Sequence, residues 1–357
     1  MYFMEKKKRL NFHWILRFRF LFSVILIFSL PGLLQSGFAG SSVTMRQETV
    51  DSRLAKYTDL QGLKATFGPT IPGLKDGWVP QGIAYAKDHG LFIFSHYHES
   101  RKYTALSAVD FKSQVLRIWA LLNEPNGNPH RGKAGGVTIQ GDLIYLSSSK
   151  QLLRFDLREF LGTPAGESLR AHSADQADNN SSFCNDADGI IWLGEFARYR
   201  LLGKKFKTHK NHHMKDRADV KKRAVVYGYA PEDMKTPRFA LSIRQEIQGI
   251  CITDNFIYLS KSYGRRNLSL LVKYDNPLAE APHDTIPISG DSPHEQREIP
   301  LWFLDGKNYK NDFELPPMAE GIEIIGGKLH VVFESAAKKF LEGGKAPNDR
   351  VLVLENP

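Results

Sequence analysis

The chain reads as an all-β protein, a five-bladed β-propeller closed by a strand from its N-terminal side. Three observations carry that reading. The stretch from Gln248 to Tyr274 is a short apolar run, a polar turn, a β-branched and aromatic run, a glycine-containing loop and a third alternating run, the pattern of an antiparallel meander rather than of helices. The design recurs five times, and the copies begin 54, 47, 66 and 72 residues apart, a period suited to stacked four-stranded sheets and too long for most helical solenoids.

The copies align on a small or polar triplet and the aromatic or β-branched run that follows. Gln81-Gly82-Ile83 leads to Leu91–Phe94, Gly135-Gly136-Val137 to Leu143–Leu146, and Ser182-Phe183-Cys184 to Ile190–Leu193. Gln248-Gly249-Ile250 leads to Phe256–Leu259, and Glu320-Gly321-Ile322 to Leu329–Val332. A single such sheet cannot bury both faces, so the copies must stack around an axis. A sixth, degenerate blade before Glu320 is the alternative. After Val331–Phe333 only the run Arg350–Leu354 remains, so the last blade needs a strand from near Leu63–Ile71 to complete it.

In chain order, residues 1–39 form a targeting segment: Lys6, Lys7, Lys8, Arg9, Arg17 and Arg19 precede the uncharged apolar run Phe20–Leu34, and small residues follow at Gly37 and Ala39. This fits a cleaved secretory signal, and the run falls short of the ~20 residues wanted for a membrane span; an uncleaved anchor through residues 20–34 is the alternative. The expected location is secreted or periplasmic. Residues 40–60 are polar, with helix character around Glu48–Tyr57, and residues 61–357 form the propeller.

Formal net charge is +9, unevenly spread. The insertion 198–223, between the second and third runs of the third copy, holds eleven Lys or Arg against Asp216 and Asp219. It reads as a protruding, solvated loop able to attract a polyanion or an anionic membrane surface. Its centre lacks the interleaved aromatics that stack nucleic-acid bases, so no specific nucleic-acid binding is expected. His209, His212 and His213 in it read as surface residues. Two cysteines complete the inventory. Cys184 and Cys251 sit one register position apart in the third and fourth copies, so their side chains leave opposite faces of their own sheets. That parity allows a disulfide across the seam between blades three and four in an exported protein.

Candidate chemistry belongs at one end of the central channel. The residues opening each first run are Gln81, Gly135, Ser182, Gln248 and Glu320. Those ending the second runs are His96 and His98, Ser148, Glu195, Lys261 and Glu334. From these, Gln81, Gln248, Lys261 and Glu334 are candidate ligand-binding groups, and His96 and Glu195 candidate acid–base groups. Asn-Asp-Ala-Asp-Gly at 185–189 reads first as a hairpin turn. No Gly-x-Ser-x-Gly, phosphate-cradling loop, zinc cysteine cluster or haem motif occurs, so those classes are set aside.

The organisation over residues 61–357 resembles the superfamily of gluconolactonase-like and strictosidine-synthase-like propellers. Trp192-Leu193-Gly194-Glu195-Phe196 and Pro316–Ile322 also look like segments of exported bacterial propellers. The resemblance implies a divalent cation, calcium or another hard ion, with Glu320 and Asn185 as its ligands, and hydrolysis of lactones or other esters. Two expectations follow: a non-catalytic exported propeller binding a small molecule or protein partner at its channel mouth, and a metal-dependent hydrolase.

Overall fold

The computed structural model describes residues 54–199, 205–289, 296–355 and 357. The targeting segment, residues 40–53 and residues 200–204 of the basic insertion lie outside the described residues.

A short helix α1 (Thr58–Gly62) leads into β1 (Thr66–Thr70). Blade 1 follows as β2 (Trp78–Ala86), β3 (Leu91–His98), β4 (Thr104–Asp110) and β5 (Leu116–Asn123). Blade 2 is β6 (Gly136–Gln140), β7 (Leu143–Ser148) and β8 (Gln151–Asp156). From it the chain runs out to β9 (Ser168–Arg170), which pairs parallel with β5, then returns as β10 (Ser173–Gln176). Blade 3 holds β11 (Ser181–Ala187), β12 (Ile190–Glu195), β13 (Ala224–Tyr229) and β14 (Phe239–Ile243). Blade 4 begins with β15 (Ile247–Ile252), β16 (Phe256–Lys261) and β17 (Ser269–Asp275). The chain then leaves it. The hairpin β18 (Asp284–Ser289) and β19 (Gln296–Phe303) extends the outer edge of blade 3 through a parallel β14–β19 pairing, before β20 (Tyr309–Leu315) completes blade 4. This excursion accounts for the long interval before Glu320, where a sixth blade was the alternative. Blade 5 is β21 (Ala319–Ile325), β22 (Lys328–Phe333), β23 (Arg350–Leu354) and, as its outer strand, β1. The ring is thus closed by the N-terminal strand, with Phe67 opposite Leu352.

Five apolar clusters fill the five seams between blades, which is why both parities of most strands are apolar. Ile93, Val137 and Leu146 meet between blades 1 and 2, Tyr145, Leu193 and Val225 between 2 and 3, and Phe183, Ile250 and Leu259 between 3 and 4. Tyr258, Ile322 and Val331 meet between 4 and 5, and Ile83, Phe94 and Val332 between 5 and 1. Helix α1 adds Leu60 to the fourth of these, and Asp59 Oδ2 accepts from the Glu314 amide at 2.6 Å. Among the described residues no helix is long and apolar enough to cross a membrane.

Inner strands β2, β6, β11, β15 and β21 each touch the next, and β21 touches β2. Their approach is set by glycine. A Cβ on Gly82 would lie 2.6 Å from the Val137 amide nitrogen, on Gly136 2.5 Å from that of Cys184, on Gly249 2.8 Å from the Glu320 carbonyl, and on Gly321 2.8 Å from the Gly82 Cα. Blade 3 alone carries a side chain at this position, Phe183, and its ring occupies the space left by Gly194, where a Cβ would come within 1.9 Å of it.

The disulfide expectation is corrected. Cys184 and Cys251 are buried free thiols. Cys184 packs in the seam toward blade 2, with its Sγ 3.7 Å from the Tyr145 carbonyl, while Cys251 packs in the seam toward blade 5. The parity argument was sound, but the winding of the ring turns the two side chains away from each other. Burial pushes the Cys184 thiol up to about 12 and raises that of Cys251 as well, so both stay protonated and unreactive near neutrality.

Replacing Gly82 or Gly136 by Ala is expected to destabilise the chain by about 1–3 kcal/mol through overpacking at the axis. Gly162→Ala, in open space, should change little. Urea unfolding of the three variants checks this, and equal effects at all three positions would reject the axial constraint.

Candidate functional site

The polar residues opening the first runs reach the channel because the ladder is interrupted there. Pairing of β2 with β3 skips between Pro80 and Gly82, β11 with β12 between Ser181 and Phe183, β15 with β16 between Ile247 and Gly249, and β21 with β22 between Ala319 and Ile322. Each skip is a β-bulge, a device that re-aims a side chain. The bulged residues are Gln81, Ser182, Gln248 and Glu320.

Four of the residues expected from sequence converge. Gln248 Nε2 donates to Glu320 Oε1 at 3.0 Å, and Gln81 Nε2 donates to Glu334 Oε2 at 3.0 Å. The two carboxyls hydrogen-bond to each other. Burial raises the Glu320 carboxyl well above its ordinary value, and the charge of Glu334 raises it further. Burial also raises Glu334, opposed by Lys133, by the bond from Glu320 and by Lys339. The direction is that Glu320 keeps a proton and donates it to an ionised Glu334, because two like charges in contact cannot both persist.

Around this pair stand residues the sequence reading passed over. Tyr97 is buried beside both carboxyls, which raise its phenol after burial does. The Arg101 guanidinium lies 4.0 Å from the centre of its ring, and Lys339 Nζ donates to its hydroxyl at 3.3 Å. Lys133 is positioned by its own loop. Glu124 Oε1 lies 2.5 Å from His130 Nδ1, His130 Nε2 lies 3.0 Å from Ser148 Oγ, and Ser148 Oγ accepts from the Lys133 amide at 3.1 Å. This Glu-His-Ser chain anchors the loop. Gly132 covers it so closely that a Cβ would lie 2.0 Å from Ser148 Oγ, which leaves no space for an acyl group on that serine.

The other expected residues lie elsewhere. His96 is enclosed within blade 1, 4.9 Å from the Trp119 ring, with Nε2 2.8 Å from Ser107 Oγ. Burial alone holds its pKa down at about 3. It belongs to the strand face opposite to that of Tyr97. Glu195 is buried in blade 3, where Oε1 accepts from the Val225 amide at 3.1 Å and lies 2.8 Å from His212 Nδ1; its Oε2 has no partner among the described residues. Lys261 Nζ lies 3.4 Å from Glu246 Oε2, and Glu246 Oε1 accepts from Arg198 Nε at 3.2 Å.

Asn185 and Glu320 do not form a shared cation site. Counted from Ser182, the position equivalent to Glu320, Asn185 lies three residues deeper, about 10 Å at the strand rise, and its Oδ1 accepts from the Ile252 amide at 3.2 Å, tying blade 3 to blade 4. Among the described residues no group of three or more acidic, histidine or cysteine side chains could hold a metal ion. The donor set does not fit calcium, which takes 6–8 oxygens.

The basic insertion is also corrected over residues 205–223. It is folded onto blade 3 rather than solvated. His212 is buried between Glu195 and Tyr227, Thr208 Oγ1 donates to the Arg223 carbonyl at 2.6 Å, and Arg217 holds Asp305 with two bonds of 2.7 and 2.8 Å. Lys222 pairs with Asp216 at 3.2 Å. Lys205, Lys207, Lys210 and Lys221 remain exposed.

Further along the channel a second acidic pair appears that the sequence reading missed in part. Burial, then the charge of Asp186, pushes Glu323 up to about 8. Burial, then Asp188, pushes Asp186 up to about 6.

No family model and no curated protein matches the chain. Solved structures share the architecture at low identity. An RS223 β-xylosidase is 11% identical over 78% of this chain and 92% of its own, with a TM-score of 0.42. A GH43_1 enzyme from Xanthomonas citri complexed with xylotriose is 11% identical over 83% and 92%, with a TM-score of 0.43. BamB from Moraxella catarrhalis is 9% identical over 77% and 84%, with a TM-score of 0.33.

The Glu323 carboxyl provides a pH test. The folded chain holds its proton more tightly than the unfolded chain does. Its contribution to stability is therefore full below the ordinary value of 4.5 and is lost as the pH rises to about 8. Glu323→Gln should leave the melting temperature nearly unchanged at about pH 4.5 and raise it near pH 8, by about 2–4 °C for each kcal/mol recovered. A pH profile parallel to that of the parent chain would show that Glu323 titrates normally.

Proposed function

We propose that the chain is an exported propeller that binds a small polar ligand at the mouth of its channel without transforming it. The observation that carries this is the convergence of Gln81, Gln248, Glu320 and Glu334, four polar side chains from three blades, on one point beside the axis. Bulged strands on a rigid ring preorganise such groups, and preorganisation is what a binding site needs to avoid the entropic cost of ordering.

The same geometry weighs against hydrolysis. Glycoside hydrolysis places its two carboxyls about 5–9.5 Å apart, with the scissile bond between them, whereas Glu320 and Glu334 are in direct hydrogen-bond contact. Ester or lactone hydrolysis of the kind the resemblance implies needs a cation held jointly by Glu320 and Asn185, and these residues lie at different depths. His96, the candidate base, is shut inside blade 1.

Thermal denaturation of the mature chain against sugars, polyols, amines and carboxylates tests the proposal. A ligand at about 100 times its Kd stabilises by about 2.7 kcal/mol, a shift of several degrees. Stabilisation by at least one compound, abolished by Glu320→Gln or Gln248→Ala, is the expected result. Ligands that stabilise parent and variants alike, or turnover of an ester or lactone that survives metal chelation, would count against it.

A further inference from the structure

On blade 3 Arg217 pairs with Asp305 and Lys222 with Asp216. The mouth is built differently. Arg101, Lys133, Lys339 and Arg265 all stand on the same end of the ring, and none of them makes an ion pair among the described residues. Instead Arg101, Lys339 and Arg265 are held by rings. Arg101 lies 4.0 Å from the centre of the Tyr97 ring and Lys339 5.2 Å from it. Lys339 also lies 5.0 Å from the Phe340 ring, and Arg265 5.1 Å from it. The order Arg101, Tyr97, Lys339, Phe340, Arg265 is an arc in which cations and aromatic rings alternate.

Such stacking fixes the long side chains at little further entropic cost and leaves their charges uncompensated. Arg265 is pinned further by a 2.8 Å bond from Nη1 to the Glu342 carbonyl. Burial depresses the ionisation of Lys339, and the charges of Arg101, Lys133 and Arg265, opposed by that of Glu334, depress it further. Inside the arc stand Glu320 and Glu334, whose burial and mutual contact favour one shared proton between them. Four cations face this pair. The arc continues into an open cavity of about 530 Å³ lined by Arg265, Arg266, Asn267, Glu342 and Gly343, which adds a second guanidinium and one carboxylate to the same side.

We infer that the mouth takes a small polyanion, a molecule bearing two or more carboxylate or phosphate groups, clasped between Lys133 on one side and the Arg101–Lys339–Arg265 arc on the other. This rests on the proposal that the mouth is the binding site, and it names the chemistry of what is bound. Guanidinium groups recognise planar carboxylates and phosphates through paired bonds, and lysines serve as point charges. The neutral Glu320 and the amides of Gln81 and Gln248 keep the floor from repelling such a ligand as strongly as two ionised carboxylates would.

Calorimetric titration of the mature chain with citrate, with pyrophosphate and with neutral xylose, each at about 20 and about 200 mM salt, tests the inference. Binding of one or both anions is expected, at least about tenfold weaker at the higher salt as screening predicts. A loss of about fivefold or more is expected in each of Lys339→Gln and Arg101→Gln. Citrate alone would identify carboxylates as the recognised groups, pyrophosphate alone phosphates, and both a general polyanion site. Lys210→Gln, on the basic insertion, should bind as the parent does. Anion binding unaffected by Lys339→Gln and Arg101→Gln, or lost in Lys210→Gln, overturns the assignment. If neither anion binds but a neutral ligand stabilises the chain in a Glu320-dependent way, the binding reading stands and the polyanion is wrong. If nothing binds, both fall.

Discussion

Backbone must touch backbone at the centre of this ring. Five inner strands can converge only where Cβ atoms are missing, and Gly82, Gly136, Gly249 and Gly321 supply that condition at four of the five positions. The fifth, Phe183, is tolerated because Gly194 on the neighbouring strand makes room for its ring. Everything else about the mouth follows from this contact. In four blades the residue before the axial position is forced out of its ladder as a bulge, and in three of them that residue is Gln81, Gln248 or Glu320. A ring packed this tightly at its axis brings groups more than two hundred residues apart in the chain within bonding distance, as with Gln81 and Glu334.

Electrostatics then differentiate the surfaces. The basic insertion, which carries the largest charge excess in the sequence, uses much of that charge internally: Arg217, Lys222 and buried His212 fasten it to blade 3. The mouth holds fewer cations, and Arg101, Lys133, Lys339 and Arg265 there make no ion pair among the described residues. Charge density along the chain is therefore a poor guide to where a charged ligand goes. Local pairing decides it, because an ion pair satisfies a cation at the surface while a cation stacked on an aromatic ring keeps its field.

Blade number, ring closure by β1 and the axial glycines were legible because they depend on local pattern: period-two runs, turn residues and their spacing. Gln81, Gln248, Glu320 and Glu334 were legible for the same reason, since repeat alignment places them at equivalent ends of equivalent strands. What was not legible depends on parity and on three-dimensional sense. His96 was chosen where Tyr97 was needed because adjacent strand residues leave opposite faces and, counted from the pairs Ile83 with Phe94 and Ile322 with Val331, the residue equivalent to Glu334 is Tyr97. Cys184 and Cys251 have the expected parity, but the direction in which blades wind sends them to different seams. Lys133 comes from a loop and Lys339 from a one-turn helix (Lys338–Leu341), and nothing in their neighbours announces that Ser148 and His130 would pin the first or Tyr97 the second. The excursion of β18 and β19 onto blade 3 was hidden as well, because edge pairing leaves only an ordinary strand pattern in the sequence.

Carboxyl titration by carbon-13 NMR, on chain labelled at the glutamate side-chain carbons, interrogates the mouth most directly. Axial convergence predicts one carboxyl that stays protonated well above the ordinary glutamate range and vanishes from the spectrum in Glu320→Gln, distinct from the Glu323 signal that titrates near 8. A Glu320 resonance that titrates close to 4.5, as an isolated and solvated side chain would, contradicts the shared proton and with it the claim that the bulged inner strands press these side chains together.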